Sequence, residues 1–172
     1  MIRDQQHTIE FRDVSFRYKG QQAYALRHVN LVLHQGDTLS VVGENGAGKT
    51  TFIKLLTRLY DPTQGEILLD GIDIRHYAYE SYAALFSAVF QDFQLFSFSI
   101  KENVCLNRPA PDSEVQALLR KVGLGEKLDS LPRGIHTSVY KNFDEDGFEP
   151  SGGEGQKIAL ARALYKNAPF VI

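Results

Sequence analysis

The sequence predicts an α/β fold, and three observations predict it. An apolar, β-branched run, Thr38-Leu39-Ser40-Val41-Val42, leads into a glycine-rich stretch from Gly43 to Thr50, after which Phe52, Leu55, Leu56 and Leu59 recur at helical spacing. Upstream of this strand, loop and helix the chain alternates like an antiparallel hairpin, and downstream helical periodicity dominates. With 172 residues, 43% of them hydrophobic, and a formal net charge of −2, the composition is that of a globular protein of one domain or two subdomains.

The elements follow in order. Thr8 to Tyr18 and Tyr24 to Leu33 read as two strands, with Ile9, Phe11, Val14, Phe16 and then Val29, Leu31, Leu33 on the apolar side, and Lys19-Gly20-Gln21-Gln22 as the hairpin. Gln35-Gly36-Asp37 turns into the strand that feeds Gly43. After the loop helix, Asp61-Pro62-Thr63-Gln64-Gly65 is a stop. Glu66 to Asp70 and Ile72 to Ile74 are short strands about an Asp70-Gly71 turn. Tyr79 to Phe86 reads as a helix and Ser87 to Phe90 as a strand ending at Gln91.

A helical block comes next: Ile100 to Leu106, Ser113 to Val122 and Gly125 to Leu131, interrupted at Pro109-Ala110-Pro111. Asp112 or Ser113 is expected to cap the second helix, with Val115, Leu118, Leu119 and Val122 facing inward. Lys141 to Pro150 reads as an acidic loop. Ser151-Gly152-Gly153-Glu154 then opens a long helix to about Lys166, with Ser and Glu spaced as a capping box and Leu160 and Leu164, next to Ile158, Ala161 and Tyr165, as its apolar face. Phe170-Val171-Ile172 starts another strand.

Gly43-Glu44-Asn45-Gly46-Ala47-Gly48-Lys49-Thr50 has the spacing G-x-x-x-x-G-K-[ST], which a chain of this length matches by chance in about one case in two hundred. The chemistry explains the residue types. Glycines let the backbone turn tightly, so that successive N–H groups point at phosphate oxygens. The following helix adds the positive end of its dipole. Lys49 supplies a full charge to the outer phosphates, and the Thr50 hydroxyl is a hard oxygen ligand for Mg²⁺. This pattern predicts a nucleoside triphosphate site.

Other chemistries find less support. No basic surplus points to nucleic acid, and no apolar run approaches the roughly 20 residues of a membrane helix. Met1 to Glu10 lacks the apolar core of a signal peptide, so a membrane role is expected to come through another segment or chain. Cys105 is the single cysteine, which suits a reduced cytosolic setting. His7, His28, His34, His76 and His136 are scattered and read as surface or packing residues.

Taken together, the phosphate loop, Gln91 closing a strand, the Ser-Gly-Gly helix start, Ala161-Arg162-Ala163-Leu164 and the apolar run after it resemble the ATP-binding domains of ABC transporters over essentially the whole chain. The resemblance implies a P-loop NTPase (RecA-like) core with an N-terminal antiparallel β subdomain and a helical subdomain. Its expected parts are 1–37 (antiparallel β), 38–91 (Walker A core), 92–150 (helical subdomain) and 151–172 (signature helix and start of the Walker B strand). It implies binding of ATP and Mg²⁺ by Gly43 to Thr50 together with Thr51, adenine stacking on Tyr18, a Q-loop glutamine at Gln91 that with Thr50 holds the metal, and a signature motif at Ser151, Gly152, Gly153 and Glu154. Gln91-Asp92-Phe93-Gln94-Leu95-Phe96 with Ile100-Lys101-Glu102-Asn103 looks like the exporter type, in which this region lies against the coupling helices of a permease domain.

Two departures stand out. Pro150 and Glu154 replace the Leu and Gln of the usual Leu-Ser-Gly-Gly-Gln, and Asp144-Glu145-Asp146 departs from the usual sequence before it. In the family, Phe170-Val171-Ile172 would continue into an Asp and a Glu that serve Mg²⁺ and the attacking water, with a switch histidine later. The chain therefore reads as a domain truncated within Walker B, which binds ATP without hydrolysing it. The resemblance also implies a head-to-tail partnership with a second ATP-binding domain, a permease domain, export of a substrate, and a place on the cytoplasmic face of the cell membrane. A non-catalytic ATP-sensing subunit and a soluble ABC ATPase are the alternatives.

Overall fold

The computed structural model describes residues 6–90, 92–106 and 108–172. The chain divides into two compact units, Met1–Phe86 and Ser87–Ile172. In the first, β1 (Thr8–Phe16) lies between β2 (Leu26–His34) and β3 (Gln64–Leu69), antiparallel to both, and β4 (Ile72–Asp73) follows β3. The expected hairpin is present, with shifted ends. Ile9 and Phe11 are buried, the alternation then slips, and Val14 and Phe16 continue the buried set. Asp13, at φ 49°, sits in that slip, where the pairing with both neighbours shifts register as in a β-bulge. Asp70 and Gly71 join β3 to β4 with φ of 52° and 81°, both left-handed, as a type I′ turn requires.

Helix α1 (Lys49–Leu56) docks on this sheet by stacking Phe52 on Phe11, ring centroids 5.1 Å apart. It ends in a Schellman arrangement: Arg58 at φ 55° donates its N–H to Leu55 O, and Leu59 donates to Lys54 O. A non-glycine residue is held in that conformation by its guanidinium, which donates to Tyr77 O and Arg75 O. The turn takes Leu59 off the helix face, leaving it exposed, so the expected inward stripe stops at Leu56. Helix α2 (Tyr79–Ala83) is shorter than expected and buries Tyr82, whose hydroxyl donates to Leu56 O at 2.7 Å; burial pushes that phenol's pKa up.

One expectation fails outright. Thr38–Val42 forms no strand: residues 37–43 lack regular structure, Leu39 and Val41 are exposed, and Val42 is 89% exposed. β-Branched residues favour a strand only where a neighbouring backbone satisfies their ladder, and the sheet β2-β1-β3-β4 includes no such pairing for this run.

The short strands β5 (Phe86–Ser87), whose Ser87 begins the second unit, and β6 (Phe170–Val171) replace the longer strands expected there, with Ile172 donating to Ser87 O and Val89 to Ile172 O. Gln91, expected to end the first, lies outside the described residues. Helices α3 (Ile100–Cys105), α4 (Asp112–Lys121), α5 (Gly125–Ser130) and α6 (Gly152–Tyr165) surround a core that includes Val104, Val115, Leu119, Leu128 and Ile158. Leu118 and Val122 pack at its margin, completing the stripe expected of α4.

Two details differ from expectation. The cap position before α4 is taken by Pro111, whose ring has no acceptor, and Asp112, already the first helical residue, lies 2.6 Å from Lys101 Nζ and 2.8 Å from His136 Nε2. On α6 the buried face is Ile158, Ala159, Ala161 and Ala163, while Leu160 and Leu164 are only half-buried. The loop from Lys141 to Pro150 is non-helical as expected, and ordered: Asp144 accepts from Arg133 and from Ser138 Oγ.

Candidate functional site

The glycine-rich loop and the first turn of α1 form a cradle within the first unit. Gly46 and Gly48 have φ of 86° and 89°, a region that favours glycine. Gly48 is also crowded: a Cβ there would lie 2.5 Å from Ala25 O and 2.8 Å from Leu26 Cδ2. At Gly46 a Cβ would meet nothing within 4 Å, so only its backbone conformation requires glycine. Glu44 O accepts from Ala47 N, forming the outer turn of the loop, and Glu44, Asn45, Gly46 and Ala47 are exposed.

Lys49 places its Nζ 2.6 Å from Gly43 O and 2.8 Å from Glu44 O, so the loop's own carbonyls hold the ammonium in place. Helix α1 starts from Gly48 with no side-chain cap and no acidic residue in its first turn. Its leading amides have no acceptor one turn back within the helix, which is the usual donor set for an anion. Thr50 is exposed and Thr51 buried. The donors fit a polyphosphate: free-ended helix amides, one ammonium and one accessible hydroxyl.

Tyr18 lies beside this cradle, its hydroxyl 3.0 Å from Thr51 Oγ1. It also borders a cavity of about 610 Å³ with Arg17, Lys19, Gln21 and Tyr60. Two residues absent from the motif reading stand here. Tyr60 packs edge-on to Tyr18, and Lys54 sits over both rings, 5.8 Å and 5.7 Å from their centroids. Nothing in the spacing pointed to them, because the turn after Leu56 places Tyr60.

In the second unit the expected capping box is present. Ser151 Oγ accepts from Glu154 N at 3.3 Å, while Glu154 Oε2 accepts from Ser151 N at 2.8 Å and from Ser151 Oγ at 2.7 Å. Those Ser151 bonds, backbone first, hold the Glu154 carboxyl below its usual range, with help from Lys127 and Lys157. Gly152 and Gly153 are exposed, have no left-handed φ, and leave open space where a Cβ would sit. Gly155 differs, since its Cβ would lie 3.0 Å from the Phe93 ring.

A second capping box, Ser99 with Glu102, starts α3; its S-x-x-E spacing was legible and unread. Fully buried Asn103 accepts from Phe96 N and donates to Phe96 O and Ser99 O. Arg162 of α6 donates to Asn103 O at 2.7 Å and to Gln94 O at 3.1 Å, tying the helix to this segment. Among the described residues no group of three or more His, Cys, Asp or Glu has a metal-holding arrangement, and no helix is long and apolar enough to cross a membrane.

A glycine-shaped cradle at the start of a helix, bridged by a lysine, defines a phosphate-loop nucleotide-binding protein. The family model for ABC transporters matches residues 26–172, and the chain belongs to that family. It is 38% identical over 167 residues to the ATP-dependent lipid A-core flippase of Paraburkholderia xenovorans, covering 95% of this chain and 27% of that protein. It is likewise 38% identical over 175 residues to the subtilin transport ATP-binding protein SpaT of Bacillus subtilis, covering 96% of this chain and 27% of the other. A solved bacterial Atm1-family ABC exporter with ATP bound superposes with a TM-score of 0.84 at 34% identity, over 99% of this chain and 29% of that one. The fold is therefore that of an exporter-type ATP-binding domain, and the chain spans about a quarter of the length of these relatives.

Proposed function

We propose that the chain is the MgATP-binding module of an ABC exporter. One observation carries the reading: Lys49 is suspended across a loop whose left-handed glycines open onto uncapped helix amides. Gly43 to Thr51 hold the triphosphate, and the Tyr18 ring stacks on the adenine. Thr50 and Gln91 hold Mg²⁺, which when bound neutralises charge between the outer phosphates.

Ser151, Gly152, Gly153 and Glu154 present the start of α6 to the nucleotide of a second, head-to-tail ATP-binding domain. The two exposed glycines support this, because among the described residues neither backbone conformation nor crowding requires glycine there. Losing the γ-phosphate then separates the domains and moves a permease domain at the cytoplasmic face of a membrane. Hydrolysis belongs to the full-length protein. Calorimetric titration tests the site: Lys49→Ala is expected to weaken MgATP binding roughly a hundredfold, as the loss of a charged donor to phosphate implies. Unchanged affinity would remove the basis of the assignment.

A further inference from the structure

Resting on that reading, we propose that Tyr60 is a positioning residue for the base: it holds the Tyr18 ring in the orientation in which adenine stacks on it. Tyr18 is fixed at three points. Its hydroxyl bonds Thr51 Oγ1 at 3.0 Å, Phe16 packs against it at 5.0 Å and 83°, and Tyr60 packs at 5.5 Å and 86°. Phe16 is a buried strand residue that also serves the core, whereas Tyr60 is 42% exposed and lies on the cavity wall.

Tyr60 is itself held from several sides. The closing turn of α1 brings its N–H to 3.3 Å from Lys54 O, and its ring leans on Phe16 at 5.5 Å. The Lys54 ammonium then sits between the two tyrosines, within cation–π distance of both. Tyr60 is 42% exposed, and it meets Tyr18 with an aromatic edge and shares the Lys54 cation with it, while Phe16 braces both rings from the core side. Tyr60 limits the rotation of the ring it touches. Pre-setting an aromatic platform lowers the ordering cost when a base arrives.

The test measures ATP and inorganic tripolyphosphate on the same variants, since only ATP has a base to stack. Tyr60→Ala and Tyr60→Leu are each expected to weaken ATP about fivefold, the scale of one oriented aromatic pair, and to leave tripolyphosphate unchanged. Tyr60→Phe is expected to match the parent. Tyr18→Ala is expected to weaken ATP as well, and adding Tyr60→Ala to it should cost nothing more, because Tyr60 acts only through that ring. Unchanged ATP affinity in Tyr60→Ala, an equal loss for tripolyphosphate, or full additivity with Tyr18→Ala would each overturn the proposal. Failure of the parent reading looks different: Lys49→Ala would then leave tripolyphosphate affinity intact.

Discussion

Helices α1 and α6 treat their leading amides in opposite ways. Helix α1 begins at Gly48, which has no side chain to cap it, and its first turn carries Lys49 and no acid. Helix α6 begins at Ser151 and is closed by Glu154, whose carboxylate takes both the amide and the hydroxyl of that serine. Both ends carry the positive pole of a helix. One is left open for an external anion, while the other already holds an internal one. An anion that approaches α6 must therefore compete with Glu154 for the Ser151 hydroxyl, whereas at α1 it meets helix amides with no capping side chain and the Lys49 ammonium, which now donates to Gly43 O and Glu44 O.

The largest expected effect breaks the α1 half of this comparison. Gly48→Ala must place a methyl against Ala25 O in a backbone conformation at φ 89°, and should cost about 3 kcal/mol in urea unfolding together with nucleotide binding. Gly46→Ala, at φ 86° in open space, should cost only about 1 kcal/mol. Equal losses would show that crowding does not shape the cradle. On α6, Ser151→Ala removes the cap and should cost about 1 kcal/mol by the same measurement; an unchanged midpoint would mean the box does not close that helix.

The smallest effect concerns pH. The Glu154 carboxyl titrates below its ordinary 4.5, so its contribution is present above that value and is lost as pH falls through the lower folded-state value. Glu154→Gln should flatten the decline of stability below about pH 4.5, read from urea midpoints between neutral and acid pH. The same decline in both proteins would show that the carboxylate is not held by Ser151.

Much of the fold was legible, for local reasons. The β1–β2 hairpin, the Asp70-Gly71 turn and the Ser151 box depend on residues close in sequence, whose conformations follow from side-chain alternation, left-handed turn residues and cap chemistry. The phosphate loop was legible because its glycines and lysine have a fixed spacing. Misreadings came where a distant partner decides. Val41 and Val42 look like strand residues yet pair with nothing described, and of the apolar face expected of α6 Ile158 and Ala161 are buried while Leu160 and Leu164 are only half-buried. Asn103 and Arg162, 59 positions apart, have no common pattern from which their bonds could be read.

By itself the sequence determined that a tight glycine loop bridged by a lysine opens a helix, because glycine's access to left-handed φ and lysine's charge are properties of the residues. It equally determined the capped start of α6, since a serine and a glutamate three positions apart can reach each other's backbone without help. Tertiary structure alone decided what surrounds them: which ring braces Tyr18, where Lys54 rests, and which amides α6 keeps for itself. Those depend on packing between segments far apart in the chain, where the angle of a single turn, such as the one after Leu56, sets what a side chain meets.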